Sequence, residues 1–154
     1  MRDTRPLARP TFSQIVGCYG MVGAPVLDQF GQSFNPAPRP TEVRKQKAKR
    51  SHRNAFFLAD GRPDLWYAEG VGLGAATWNA HAWTITAAGA VVDPTWNDGT
   101  AYFGIILLLR WVATIMLKSG EYGIWIALQR GIVTDGEFRH AVIEGAAGWR
   151  AAVS

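Results

Sequence analysis

Three runs of the chain alternate or cluster apolar residues as strands do: residues 65–73 (LWYAEGVGL), 81–87 (HAWTITA) and 90–96 (AVVDPTW). In the second run His81, Trp83, Ile85 and Ala87 share one face, and Ala82, Thr84 and Thr86 share the other. Between the second and third runs, the short AAGA stretch contains Gly89, which takes a positive φ without steric cost and predicts an antiparallel hairpin. Such a hairpin brings His81 and Asp93 to its open end, within reach of each other across neighbouring strands.

Downstream the period changes to that of helices. Ile105, Leu108, Leu109, Val112, Ile115 and Met116 recur at three- and four-residue spacing, which predicts a buried amphipathic helix over 102–117 that stops at Lys118-Ser119-Gly120. Residues 121–131 read as a shorter helix, and 134–149 as a third with Asp135 as N-cap. Upstream, residues 1–40 hold six of the eight prolines, predicting an extended arm with one short element near 11–22. Residues 41–154 then form a single globular domain. Its first segment, 41–61, runs from Thr41, a candidate N-cap, to Gly61, with a basic first half and an apolar second half. A helix of that character passes from solvent into the core near residues 51–54, where an active-site helix would begin.

Composition narrows the setting. A chain of 154 residues, 48% hydrophobic and 18% charged, supports one core. The single cysteine, Cys18, excludes an internal disulfide and a thiolate metal quartet, so neither metal nor other cofactor is expected, and a reducing cytoplasmic setting is. The start, MRDTRPLARPTFSQ, lacks the apolar segment of a secretory signal. The 102–117 run is shorter than the roughly twenty apolar residues that cross a bilayer and carries Arg110, so no membrane partner is expected. The formal charge of +4 is concentrated in Arg44, Lys45, Lys47, Lys49, Arg50 and Arg53, a run suited either to a solvated face or to phosphates.

A histidine held by an aspartate is fixed in one tautomer and accepts a proton from a hydroxyl or thiol. Its missing partner belongs at a helix N-terminus, among cations, which points to Ser51. Cys18 is the rival nucleophile, but its surroundings, VGCYG, supply no cation, and a buried structural thiol is the simpler expectation. His52 is expected to face solvent beside Ser51, and His140 to have no part in the site.

The ordered motifs SHRNA, YAEG, HAW, DPTW and AYFGI, over residues 50–105, resemble the core of papain-like and transglutaminase-like thiol enzymes. More narrowly they resemble small, largely uncharacterised bacterial and phage proteins that begin the pattern with Cys-x-x-Asn-Ala. The resemblance implies an α+β fold, with the nucleophile-bearing helix packed on a small antiparallel sheet and a helical C-terminal third. It also implies a catalytic triad of residue 51, His81 as general base and Asp93 as its orienter, acting on a protein or peptide substrate as a hydrolase or acyl transferase. Asn54, Gln46, Glu69 and Trp83 are the accompanying candidates for substrate or oxyanion contacts; Trp66, Trp78 and Trp96 either join Trp83 around a hydrophobic cleft or belong to the core. The chain departs from the pattern at its first position, with Ser51 in place of cysteine. Three readings follow: a Cys-to-Ser change that gives an inactive form, a native serine nucleophile, or a fold that has lost catalysis. The last leads to the alternative function, a non-catalytic module whose basic helix face, Arg44, Lys45, Lys47, Lys49 and Arg50, binds nucleic acid or an acidic protein.

Overall fold

The computed structural model describes residues 8–153; the first seven residues of the predicted arm and Ser154 lie outside them. The elements run α1 (Phe12–Tyr19), α2 (Ala24–Phe30), β1 (Gln32–Phe34), α3 (Ser51–Gly61), β2 (Trp66–Gly74), β3 (Thr77–Ile85), β4 (Val91–Val92), β5 (Ala101–Ile106), α4 (Leu109–Ser119), α5 (Ile124–Gln129) and α6 (Asp135–Val153). The five strands form one antiparallel sheet in the order β1-β5-β2-β3-β4. The sheet curls until its edges touch: Asn35 bridges Ala90, and the Val91 amide donates to the Asn35 carbonyl at 3.0 Å.

Curling gives the sheet two unlike faces. Phe34, Ala68, Trp83, Ile85, Val91, Tyr102 and Ile106, drawn from all five strands, fill the inside of the curl. Tyr67, Val71, Ala82, Phe103 and Ile105 point the other way, into the larger core shared with the helices. The split within β3 follows the alternation read from the sequence. A bulky interior is admitted because the neighbouring strands lack side chains there: a Cβ on Gly104 would stand 2.8 Å from Trp83 Cη2, and one on Gly72 would stand 2.8 Å from Trp96 Cζ3.

Several elements differ from the sequence reading. Residues 102–117 do not form one helix; β5 occupies 101–106 and α4 begins at Leu109. Every β5 residue is buried, with β1 on one side and β2 on the other. A strand buried on both faces reads as a continuous apolar run, which spacing alone does not separate from a buried helix. Arg110 falls in the first turn of α4 and is exposed.

The predicted 41–61 helix exists only from Ser51 onward. In residues 41–50 a helix would stack Lys45 on Lys49, Lys49 on Arg53, and Arg44 on Lys47, and like charges at those spacings destabilise it. The backbone instead turns, the Val43 amide bonding the Pro40 carbonyl and the Gln46 amide reaching the Pro94 carbonyl at 2.6 Å. Lys49 adopts a left-handed φ of 65°, one residue ahead of the N-cap Arg50.

The N-terminal forty residues are more than an arm. Thr11 and Gln14 form a capping box that starts α1, and Ile15, Tyr19, Val26 and Leu27 are buried in the main core. At the other end Thr134, rather than Asp135, caps α6: its hydroxyl accepts from the Glu137 amide and its own amide donates to Glu137 Oε1. Of the hairpin signals, Gly89 has the expected positive φ of 82°, and the register pairs Thr84 with Val92 and Ile85 with Val91. No helix among the described residues is long and apolar enough to cross a membrane.

Candidate functional site

The DPTW turn after β4 places the acidic member of the site. Pro94 fixes the backbone beyond Asp93, whose Oδ1 then accepts from the amides of Thr95 (2.8 Å) and Trp96 (3.1 Å). Its other oxygen, Oδ2, accepts from His81 Nε2 at 2.8 Å and from the Tyr102 hydroxyl at 2.8 Å. Extended by one residue, the β3–β4 register sets Asp93 opposite Trp83, so His81 is its diagonal neighbour on the same face. Burial pushes the Asp93 carboxyl up, but the hydrogen bond and charge of His81, with the Thr95 amide and the Tyr102 hydroxyl, outweigh it and hold the group below the ordinary carboxylate range. Burial and the Asp93 charge push the Tyr102 phenol well up, keeping it a donor. Trp96 lies flat on the imidazole, ring centroids 3.6 Å apart and planes 14° from parallel. With His81 1% and Asp93 3% exposed, the pair is a fixed, desolvated unit.

Residue 51 reaches this unit because β4 is so short. It pairs only with Thr84 and Ile85, and further along β3 the Ala82 amide donates to Ser51 Oγ at 3.3 Å. The first residue of α3 thereby closes the sheet edge beside His81. Its hydroxyl also stands 3.4 Å from His52 Nδ1; among the described residues it makes no hydrogen bond to His81.

The four accompanying candidates separate. Asn54 is buried one turn along α3, and its amide is committed to the Lys47 carbonyl (2.9 Å) and Thr95 Oγ1 (3.0 Å), pinning the basic loop to the DPTW turn. Gln46 is exposed, its side-chain amide turned 3.4 Å from the Arg44 carbonyl and not toward Ser51. Glu69 is wholly buried rather than at a wet cleft wall, because its oxygens take the hydroxyls of Tyr19 and Tyr67 and the first amides of α5. Trp83 is sealed inside the curl, edge-on to Tyr102 at 5.1 Å, where no substrate reaches it. Of the other tryptophans only Trp96 borders the pair directly; Trp78 packs against the main core and Trp66 against the inside of the curl.

Sequence reasoning missed His52, Thr95 and Tyr102. An Asp-Pro-Thr turn is itself a signal for the Thr95 amide bond, whereas Tyr102 was hidden by the helical reading of its segment. His52 is not solvent-facing: its side chain is 14% exposed, and its Nε2 lies 3.6 Å from Glu69 Oε1. Cys18 donates to the Trp78 carbonyl at 3.1 Å, and burial raises its thiol pKa. His140 is on the surface beside Glu144.

A cleft of about 570 Å³ runs past the wall of α3, bordered by Arg44, Gln46, Arg53, Asn54, Phe57 and Pro94. The cations at 44, 45, 47, 49, 50 and 53 are all exposed, and none forms an ion pair among the described residues. No group of three or more His, Cys, Asp and Glu side chains among the described residues is arranged to hold a metal ion. Compared with known proteins, the chain matches no family model, no curated protein and no solved structure.

Proposed function

We propose that this protein has a papain/transglutaminase-type catalytic core and carries out acyl transfer or hydrolysis on a protein or peptide substrate. Residue 51 is the nucleophile, His81 the imidazole that moves the proton, and Asp93 the carboxylate that holds it. One observation carries the reading: a buried imidazole–carboxylate pair, the acid held by four donors, beside the uncapped N-terminus of an eleven-residue helix whose first residue carries a hydroxyl. Asp93 occupies Nε2 and leaves Nδ1 as the working nitrogen. A helix N-terminus and neighbouring cations favour negative charge on an attacking atom or oxyanion. Serine is a far weaker nucleophile than cysteine without strong activation, so restoring a thiol is the direct test. In a Ser51→Cys variant, iodoacetamide at pH 7 should label the new thiol at least tenfold faster than Cys18, and His81→Asn should abolish most of the difference. Equal labelling of the two thiols, as read by peptide mass spectrometry, would count against the triad.

The five cations before α3 and Arg53 within it, none in an ion pair among the described residues, support a second reading, a binding module for nucleic acid or an acidic protein. Retarded migration of a DNA duplex that disappears between 50 and 200 mM salt, roughly the window over which phosphate contacts weaken, would favour it.

A further inference from the structure

Among the described residues, Ser51 Oγ touches two polar partners, and neither is His81. The Ala82 amide can only donate to it. That leaves His52 Nδ1, 3.4 Å away, as the acceptor for the hydroxyl proton. The state of the His52 ring therefore decides where that proton points.

The far side of the ring fixes that state. His52 Nε2 is buried without a hydrogen bond and faces Glu69 Oε1 at 3.6 Å. Glu69 receives only donations: Tyr19 Oη at 2.9 Å, Tyr67 Oη at 2.8 Å, the Ile124 amide at 2.9 Å and the Trp125 amide at 3.1 Å. Burial and the charge of Glu69 raise both phenols well above their ordinary range, so they stay protonated. An imidazole lone pair aimed at that carboxylate would be repelled, whereas an N–H would be attracted. The hydrogen therefore belongs on Nε2 and the lone pair on Nδ1, toward Ser51. Gly123 leaves room for the ring: its φ is 104°, and a Cβ there would stand 3.0 Å from His52 Cδ2.

We infer that His52, positioned by the buried Glu69 carboxylate, is a second catalytic imidazole that takes the proton of residue 51, while the His81–Asp93 pair serves the leaving group. The inference rests on the acyl-transfer reading and divides between two rings the work assigned there to one. In acylation the Oγ–H bond breaks, the proton passes to His52 Nδ1, and the Oγ electron pair forms the bond to the carbonyl carbon. On collapse the C–N bond breaks and the departing amine takes the proton of His81 Nδ1, the ring having entered the cycle as the imidazolium paired with the Asp93 carboxylate. In hydrolysis the attacking water gives its proton to His81, and Oγ leaves with the proton held by His52, so both rings return to their starting states.

Burial lowers the His52 pKa, the nearby Glu69 opposes that shift, and His81 reinforces it, so the ring is neutral and able to accept at pH 7. A second cleft, of about 310 Å³, opens on the outer side of the His52 ring and is lined by Lys49, Arg50, Arg53 and Glu121, with Tyr122 and Trp125. Serial alkylation across pH 5–10 on the Ser51→Cys background tests the division without a substrate. His52→Gln should slow labelling at pH 7 at least tenfold and move the inflection to higher pH. A curve superimposable on that of Ser51→Cys would overturn the role of His52, whereas an unchanged curve for His81→Asn, which removes the imidazolium charge that favours the thiolate without taking its proton, would instead sink the underlying triad. Adding Glu69→Gln to His52→Gln should have no further effect; additive losses would remove Glu69 as the positioning residue. Nitrogen-15 NMR of the unsubstituted chain reads the tautomer directly. A protonated Nε2 and bare Nδ1 on His52 at pH 7 are expected, and a protonated Nδ1 would overturn the proposal.

Discussion

Asp93 shows how one side chain couples the stability of the site to its chemistry. Four donors converge on its two oxygens: two backbone amides, a phenol and an imidazole. Replacing it with asparagine puts an NH₂ among those donors and leaves at least one of them unmatched in the interior. Asp93→Asn should therefore cost about 2–4 kcal/mol in urea unfolding at pH 7. The sign of the pH dependence follows from the depressed carboxyl. Its folded pKa lies below the unfolded value of about 3.9, so folding favours the ionised form. The stabilisation is complete above the unfolded value and is lost as pH falls through the folded one. The stability gap between the parent and Asp93→Asn should narrow steadily as the pH falls below about 4. A gap that widens with acid would mean that Asp93 is destabilised where it sits.

At the scale of elements, the decisive feature is where α3 begins. Charge repulsion keeps residues 41–50 out of the helix, and the bonds from Gln46 to Pro94 and from Asn54 to both Lys47 and Thr95 tie that loop to the DPTW turn. The helix start is thereby set against the open edge of β3. Lys49 bears the cost, since a left-handed φ strains a residue with a Cβ by about 1–2 kcal/mol. Lys49→Gly should relieve that strain, raising Tm by about 3 °C in calorimetry for a chain of this size. A lower Tm would show that the lysine stem is held by packing. Here too lies the difficulty of reading 101–106 from sequence. Tyr102, Phe103, Ile105 and Ile106 are spaced as well for a helix as for a strand buried on both faces, and only β1 and β2 on either side distinguish the two.

Across the whole molecule, the N-terminal helices belong to the same core as the sheet. Ile15, Tyr19 and Leu27 are completely buried, and Tyr19 also bonds Glu69, which holds the start of α5 and faces His52. Each such large side chain is worth about 2–5 kcal/mol when truncated, against a total stability of about 5–15 kcal/mol. A chain beginning at Gly31 should therefore not fold, giving collapsed amide dispersion in proton NMR; a native-like spectrum would show the arm to be dispensable. Local pattern alone determined the hairpin, the alternation of β3, the turn at Asp93 and the proximity of His81 to it, because each rests on interactions between residues a few positions apart. Tertiary structure alone decided that β5 is a strand, that α3 starts at Ser51, that Glu69 and Trp83 are sealed away, and that His52 stands between Ser51 and a buried carboxylate. Those outcomes depend on partners tens of residues distant, whose desolvation and pairing energies exceed any local preference of the segments themselves.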